Sequence, residues 1–184
     1  MVLTKTPICN FGEKIKEFTL LSTENKKISL NNIRGKNGTL IMFICNHCPY
    51  VKAVIKDIVE DALFLETLGI KSVAIMSNDV ENYPDDSFEN MISFSKINNF
   101  CFPYLFDETQ EVAKKYDAVC TPDFFGYNKN DELQYRGRIR ELKNLKSVRE
   151  GESDLRLAMK QIATSGKGPE KQIASMGCNI KWRK

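Results

Sequence analysis

Long apolar runs are missing from this 184-residue chain, and none approaches the ~20 residues that a bilayer-spanning helix requires. No membrane partner is therefore expected. The opening residues, Met1-Val-Leu-Thr-Lys-Thr-Pro7, lack the apolar core of a secretory signal, which leads to the expectation of a cytoplasmic protein. Histidine and tryptophan occur once each. A closed zinc site usually needs a second ligand pair, another C-x-x-C or an H-x-x-x-H, and the sequence has neither. No metal and no other cofactor is expected. The net charge of +3 is too small to argue for nucleic acid. Aromatic residues do not interleave with the basic ones as a nucleic-acid groove needs. Cysteine is sparse as well: Cys9, Cys45, Cys48, Cys101, Cys120 and Cys178 are irregularly spaced, unlike the dense framework of a small secreted domain.

What is present suits one globular domain. Hydrophobic residues make up 42%, enough for a real core, and 28% charged residues are ordinary for a solvated surface. Charge is unevenly placed: residues 139–184 hold eleven Lys/Arg against five Asp/Glu. That stretch reads as a solvated helix face and a basic tail.

Hydrophobic period sets the element order. Phe18–Leu21 and Lys27–Leu30 predict a hairpin around a polar turn. Thr39–Ile44 is an unbroken apolar run, as in a strand buried on both faces. Val51, Val54, Ile55, Ile58, Ala62, Leu65 and Leu68 recur at helical spacing, with Lys52, Lys56, Asp57, Glu60 and Asp61 on other faces, and Gly69 ends the helix. Ile70–Met76 is a second core strand. A polar loop from Asn78 to Ser87, a helix over 88–98, a strand over 102–106 and a helix over 109–116 follow. A hairpin, 124–127 with 133–138, and a helix near 153–164 complete the order, and the tail from about residue 165 is expected to have little regular structure. Strands alternating with helices indicate an α/β layered sheet with no domain boundary, so 1–184 is read as one domain.

Cys45-Asn46-His47-Cys48 lies where the buried strand meets the amphipathic helix. The positive end of a helix favours negative charge, and C-x-x-C thiols so placed titrate at about 3.5–7.5. On this reading Cys45 sits exposed at the helix mouth as the attacking thiolate, and Cys48, one turn inside, resolves the mixed disulfide. His47, with Asn46, would tune the thiolate; the alternative for His47 is an exposed imidazole with no role. The C-x-x-C itself could instead hold zinc, be two inert buried thiols, or react with peroxide. Thr121-Pro122, just before the last hairpin, is a candidate cis step, and Cys120 beside it is a candidate auxiliary thiol.

Phe43-Ile-Cys-Asn-His-Cys-Pro-Tyr-Val-Lys52 resembles the active-site segment of the thioredoxin-like superfamily. More closely it is similar to the peroxiredoxin-like subgroup, redoxins of the alkyl hydroperoxide reductase and thiol-specific antioxidant type, that retains a C-x-x-C. Ser77-Asn-Asp-Val80, Pro103-Tyr-Leu-Phe106, Val119-Cys-Thr-Pro-Asp-Phe-Phe125, Tyr135-Arg-Gly-Arg138 and Gly177-Cys-Asn-Ile-Lys-Trp182 carry the same likeness. The resemblance implies a thioredoxin fold, a mixed central sheet flanked by helices, with an N-terminal hairpin and an inserted loop and helix. It implies Cys45 and Cys48 as the redox pair. It also implies a cis Thr121–Pro122 bond beside them, with the Thr121 backbone pairing the substrate chain.

Two departures stand out. Thr39 occupies the position where many thioredoxins have a buried carboxylate, which leaves Asp123 as the nearest acidic candidate. Aligned on Cys48, the peroxidase pattern P-x-x-x-T-x-x-C has Ile41 and Cys45 in place of its proline and threonine, and only Arg136 or Arg138 is available as its arginine. The leading expectation is therefore thiol–disulfide exchange with a protein or low-molecular-weight disulfide or thiol and a separate reductant. Thiol peroxidase is the alternative enzyme, and a thioredoxin-fold adaptor or metal-binding module the non-enzymatic one.

Overall fold

The computed structural model describes residues 2–183. Strand β1 (Leu3–Lys5) comes first. The expected hairpin is β2 (Thr19–Ser22) with β3 (Lys27–Ser29), antiparallel with Leu20 opposite Ile28. Helix α1 (Leu30–Ile33) starts from a reciprocal cap between Ser29 and Asn32. Strand β4 (Gly38–Phe43) is buried along its whole length. Helix α2 (Pro49–Thr67) and strand β5 (Ile70–Met76) follow. The polar loop ends in one 3₁₀ turn, Pro84–Asp86, and leads into α3 (Phe88–Ile97), capped by the Ser87 side chain. Then come β6 (Tyr104–Phe106), α4 (Glu111–Lys115), β7 (Cys120–Thr121), β8 (Asp123–Asn128) and β9 (Leu133–Arg136). A small hairpin, β10 (Leu142–Lys143) with β11 (Lys146–Ser147), precedes α5 (Asp154–Ser165) and β12 (Met176–Asn179).

The main sheet runs β3-β2-β6-β5-β4-β8-β9. Its centre is parallel, β4 with β5 and β5 with β6, and its other pairings are antiparallel. Period-two alternation along β4 divides the core. Leu40 and Met42 face a layer containing Val51, Val54 and Ile58 of α2 and Leu155, Met159 and Ile162 of α5. Ile41 and Phe43 face Leu30 and Ile33 of α1 and Val112 of α4. Helices thus cover both faces, as an apolar run without alternation demands. No helix among the described residues is long and apolar enough to cross a membrane.

Three expectations need correction. Asp57 and Asp61 of α2, assigned to its polar face, are buried. Arg156 of α5 holds Asp61 at 2.7 Å and Arg140 lies 3.2 Å from Asp57. Part of the basic C-terminal stretch is accordingly spent inside the molecule rather than on a solvated face. The third correction is the tail, which supplies β12. Its strand carries no alternation and contains a glycine, so only its neighbours define it. β12 lies between β1 and β7 in a second sheet, with Cys178 opposite both Leu3 and Thr121.

Gly177 makes that docking possible. A Cβ there would lie 2.0 Å from the Thr121 carbonyl oxygen and 2.6 Å from its carbon, so the two backbones meet only because no side chain intervenes. Gly177→Ala is expected to push β12 off β7 and cost about 1–3 kcal/mol, as overpacking does. A urea midpoint unchanged from the wild type would show that the contact is not needed.

Candidate active site

Strand β4 gives out at Phe43, but Ile44 still donates its N–H to the Ile75 carbonyl (3.0 Å), which carries Cys45 to the end of the sheet. Pro49 is the first residue of α2 and Cys48 is its N-cap. This corrects the expected placement. Cys48, not Cys45, occupies the helix mouth, and neither cysteine is exposed. The helix starts later than its C-x-x-C suggests because proline, lacking an N–H, fits the first turn and fixes where it begins.

Thr121 bridges the pair. Its hydroxyl lies 3.4 Å from Cys45 Sγ and its carbonyl oxygen 3.1 Å from Cys48 Sγ. The Thr121–Pro122 bond is cis. The backbone of Thr121 is already paired with Cys178 of β12, the place that the resemblance assigns to a substrate chain. Cys178 Sγ lies 2.9 Å from Cys48 Sγ, so three sulfurs gather here.

Their protonation differs. The hydrogen bond from Cys45, with further ones from Cys178 and Thr121, outweighs burial and draws the Cys48 thiol down to about 5. The same Cys45–Cys48 hydrogen bond, followed by burial and the Asp86 carboxylate, holds Cys45 well above the usual thiol range. Burial first, then the charged Cys48, pushes Cys178 up to about 12. Hydrogen bonding and the positive end of α2 thus favour the thiolate at Cys48 over Cys45, the reverse of the expected order.

His47 reaches the site from its surface side. Its Nδ1 is 4.0 Å from Cys45 Sγ and 2.6 Å from Asp86 Oδ2. Asp86 raises the imidazole above its ordinary value, and the buried carboxylate is held below its own by His47 and Asn78 despite desolvation. Asp86 also accepts the backbone N–H of Asn46 (2.8 Å) and the Asn78 side chain (2.7 Å). Asn46 touches neither sulfur through these bonds; its side chain accepts from Tyr104 (2.9 Å) and donates to the Asp85 carbonyl (3.1 Å), fixing the loop. Cys45, His47 and Asp86 place three potential metal-ligand atoms within 4.8 Å of one another.

The remaining candidates lie elsewhere. Cys120 is buried, with its Sγ 3.7 Å from the Pro122 carbonyl, and it is Cys178 that meets Cys48. Asp123 is paired with Arg136 at 2.9 Å, and Arg138 with Asp154 at 2.6 Å. Asp86 and Cys178 were not singled out from the sequence. Asp86 sits in an acidic surface-like loop, and Cys178 in a glycine-containing tail. The Gly-Cys-Asn-Ile-Lys-Trp stretch was the one available signal.

The model of the AhpC/TSA family matches residues 11–140. The chain belongs to the AhpC/TSA family. An uncharacterized conserved protein from Geobacillus kaustophilus is 38% identical, with TM-score 0.93, over 100% of this chain and 97% of its own. A hypothetical protein from Sinorhizobium meliloti 1021 is 31% identical, with TM-score 0.90, over 98% of each chain. A secreted disulfide oxidoreductase from Mycobacterium tuberculosis shares the fold at 17% identity and TM-score 0.56, over 68% of this chain and 87% of its own. A search of curated proteins gives no match. This family member thus has the thioredoxin-like, redoxin fold that the resemblance implies.

Proposed function

We propose that this AhpC/TSA protein is a thiol–disulfide oxidoreductase that cycles Cys45 and Cys48 between dithiol and disulfide. The observation that carries the reading is a pair of sulfurs at the start of α2, bridged by Thr121, with Cys48 at the helix N-cap, where the thiolate is favoured. Cys45 lies beside the partly exposed His47 and Cys48 beside Cys178, with Thr121 touching both sulfurs. In this reading Cys45 meets the partner from the His47 side. As its sulfur attacks a partner disulfide, its proton passes to the Cys48 thiolate and one partner sulfur leaves as thiolate. That leaving group then takes the proton from Cys48, whose thiolate attacks Cys45 Sγ, closing the internal disulfide and releasing the second partner sulfur as a thiolate that water protonates. The pair loses two electrons and the partner disulfide gains them. The partner is a protein or low-molecular-weight disulfide, and a separate cytoplasmic reductant returns the pair to the dithiol.

Oxidised glutathione added to the reduced protein near neutral pH is expected to yield a Cys45–Cys48 disulfide in non-reducing peptide mass spectra. Full alkylation of both cysteines after oxidation would sink the reading. A second reading, thiol peroxidase at Cys48, is favoured by the low Cys48 pKa. Against it, Ile41 and Cys45 replace the proline and threonine of the peroxidase pattern. Slow oxidation of Cys45→Ser protein by hydrogen peroxide is expected; rapid sulfenic acid formation at Cys48 would promote the peroxidase.

A further inference from the structure

Two of the three sulfurs in the cluster suffice for the cycle just described, and the third is Cys178. Its position is built rather than incidental. β12 is fixed on both edges, by β1 and by β7, and Gly177 lets it approach Thr121 closely enough to bring Cys178 Sγ to 2.9 Å from Cys48 Sγ. Cys178 is 1% exposed, buried like Cys45 and Cys48, so the three sulfurs share one site closed to solvent. The Cys120 and Cys101 sulfurs instead approach backbone carbonyls, at 3.7 and 3.8 Å.

We propose that Cys178 is a third redox thiol, which exchanges with Cys45 for Cys48 so that the oxidised site passes between a Cys45–Cys48 and a Cys48–Cys178 disulfide. The inference rests on the exchange reading above and deepens it. In the step, Cys178 Sγ forms a bond to Cys48 Sγ and the Cys45–Cys48 bond breaks. The electron pair of that bond leaves on Cys45 Sγ, which takes up the proton that Cys178 gives up. No electrons enter or leave, so no further oxidant is required. While Cys48 is a thiolate, its charge opposes ionisation of Cys178. Once Cys48 is in a disulfide that charge is gone, and Cys178 is freer to react. The outcome is a transfer within the site: oxidation is held at Cys48 and Cys178, and Cys45 returns as a thiol beside His47.

The test is the full-length Cys45→Ser protein oxidised with diamide, denatured in acid, alkylated and mapped by non-reducing peptide mass spectrometry. A Cys48–Cys178 disulfide is expected in most molecules. It is expected again in Cys45→Ala, which guards against a fault peculiar to serine, and to be lost in Cys45→Ser/Cys178→Ala. Cys48 and Cys178 both remaining alkylatable in the two single variants, with circular dichroism showing them folded, overturns the proposal. Wild-type and Cys178→Ala protein separate the two failures. A Cys45–Cys48 disulfide in wild type without a Cys48–Cys178 disulfide in the variants rejects only the third thiol. A Cys48–Cys178 disulfide in the variants with no Cys45–Cys48 disulfide in oxidised Cys178→Ala protein rejects the Cys45–Cys48 cycle and the exchange with it.

Discussion

Turnover of a disulfide substrate is expected to fall by at least about 10³-fold in Cys48→Ser, because groups held in reacting geometry act at effective molarities of 10⁵ M and above whereas external thiols are millimolar. Two losses combine. In the proposed cycle Cys48 is the resolving sulfur, and its thiolate, the one favoured in the pair, takes the proton of Cys45. Serine supplies neither a nucleophile for disulfide exchange nor a charge near neutral pH. The variant should hold its first substrate as a mixed disulfide on Cys45, and mass spectrometry of the trapped species would name the partner. Full turnover by Cys48→Ser in a coupled glutathione assay would remove Cys48 from the cycle.

The largest stability effect is expected behind the site. Asp123 follows the cis-proline, is fully buried, and meets Arg136 Nη2 at 2.9 Å. Arg136 also stacks on Phe125, 4.4 Å from guanidinium to ring centroid, and donates to the Asp117 carbonyl at 2.7 Å. Arg136→Ala leaves a buried carboxylate without its cation, which typically costs about 3–5 kcal/mol. Burial already lifts the Asp123 carboxyl to about 6, against the pull of Arg136. A carboxyl raised in the folded state binds its proton more tightly there than in the unfolded chain. Its contribution is therefore greatest at low pH and declines as pH rises from about 4 through 6. Without Arg136 that window moves upward, so the penalty should be larger at pH 7 than at pH 5 in urea unfolding. Asp123→Asn combined with Arg136→Met should recover much of the loss. A penalty independent of pH would mean that Arg136 acts through packing on Phe125 and not through charge.

The parts of this molecule that a pattern can show are those in which local chemistry and tertiary role coincide. β4 reads as doubly buried because it lacks any polar alternation, and both of its faces are covered. The apolar positions of α2 follow its period, but Asp57 and Asp61 do not reveal that they are buried, since their cations arrive from residues 140 and 156. The C-x-x-C is visible as a motif, and its electrostatic order is not. That order depends on where Pro49 starts the helix and on sulfur and carboxylate groups brought from 86, 121 and 178. β12 has no period of its own, and the strand exists through partners far away in sequence.

That distance has a thermodynamic side. Cys48 and Cys178 are 130 positions apart, whereas Cys45 and Cys48 enclose a single turn of chain. By the loop-closure relation, a crosslink of the longer span restricts the unfolded chain by about 5 kcal/mol at 25 °C, and one across the short loop by about 2 kcal/mol. Passing a disulfide from one pair to the other leaves the electron count unchanged but tightens the topology of the chain. Resistance to unfolding would then be a readout of which sulfur Cys48 is bonded to, and a molecule oxidised at Cys48 and Cys178 would be locked shut around the strand that carries Cys178.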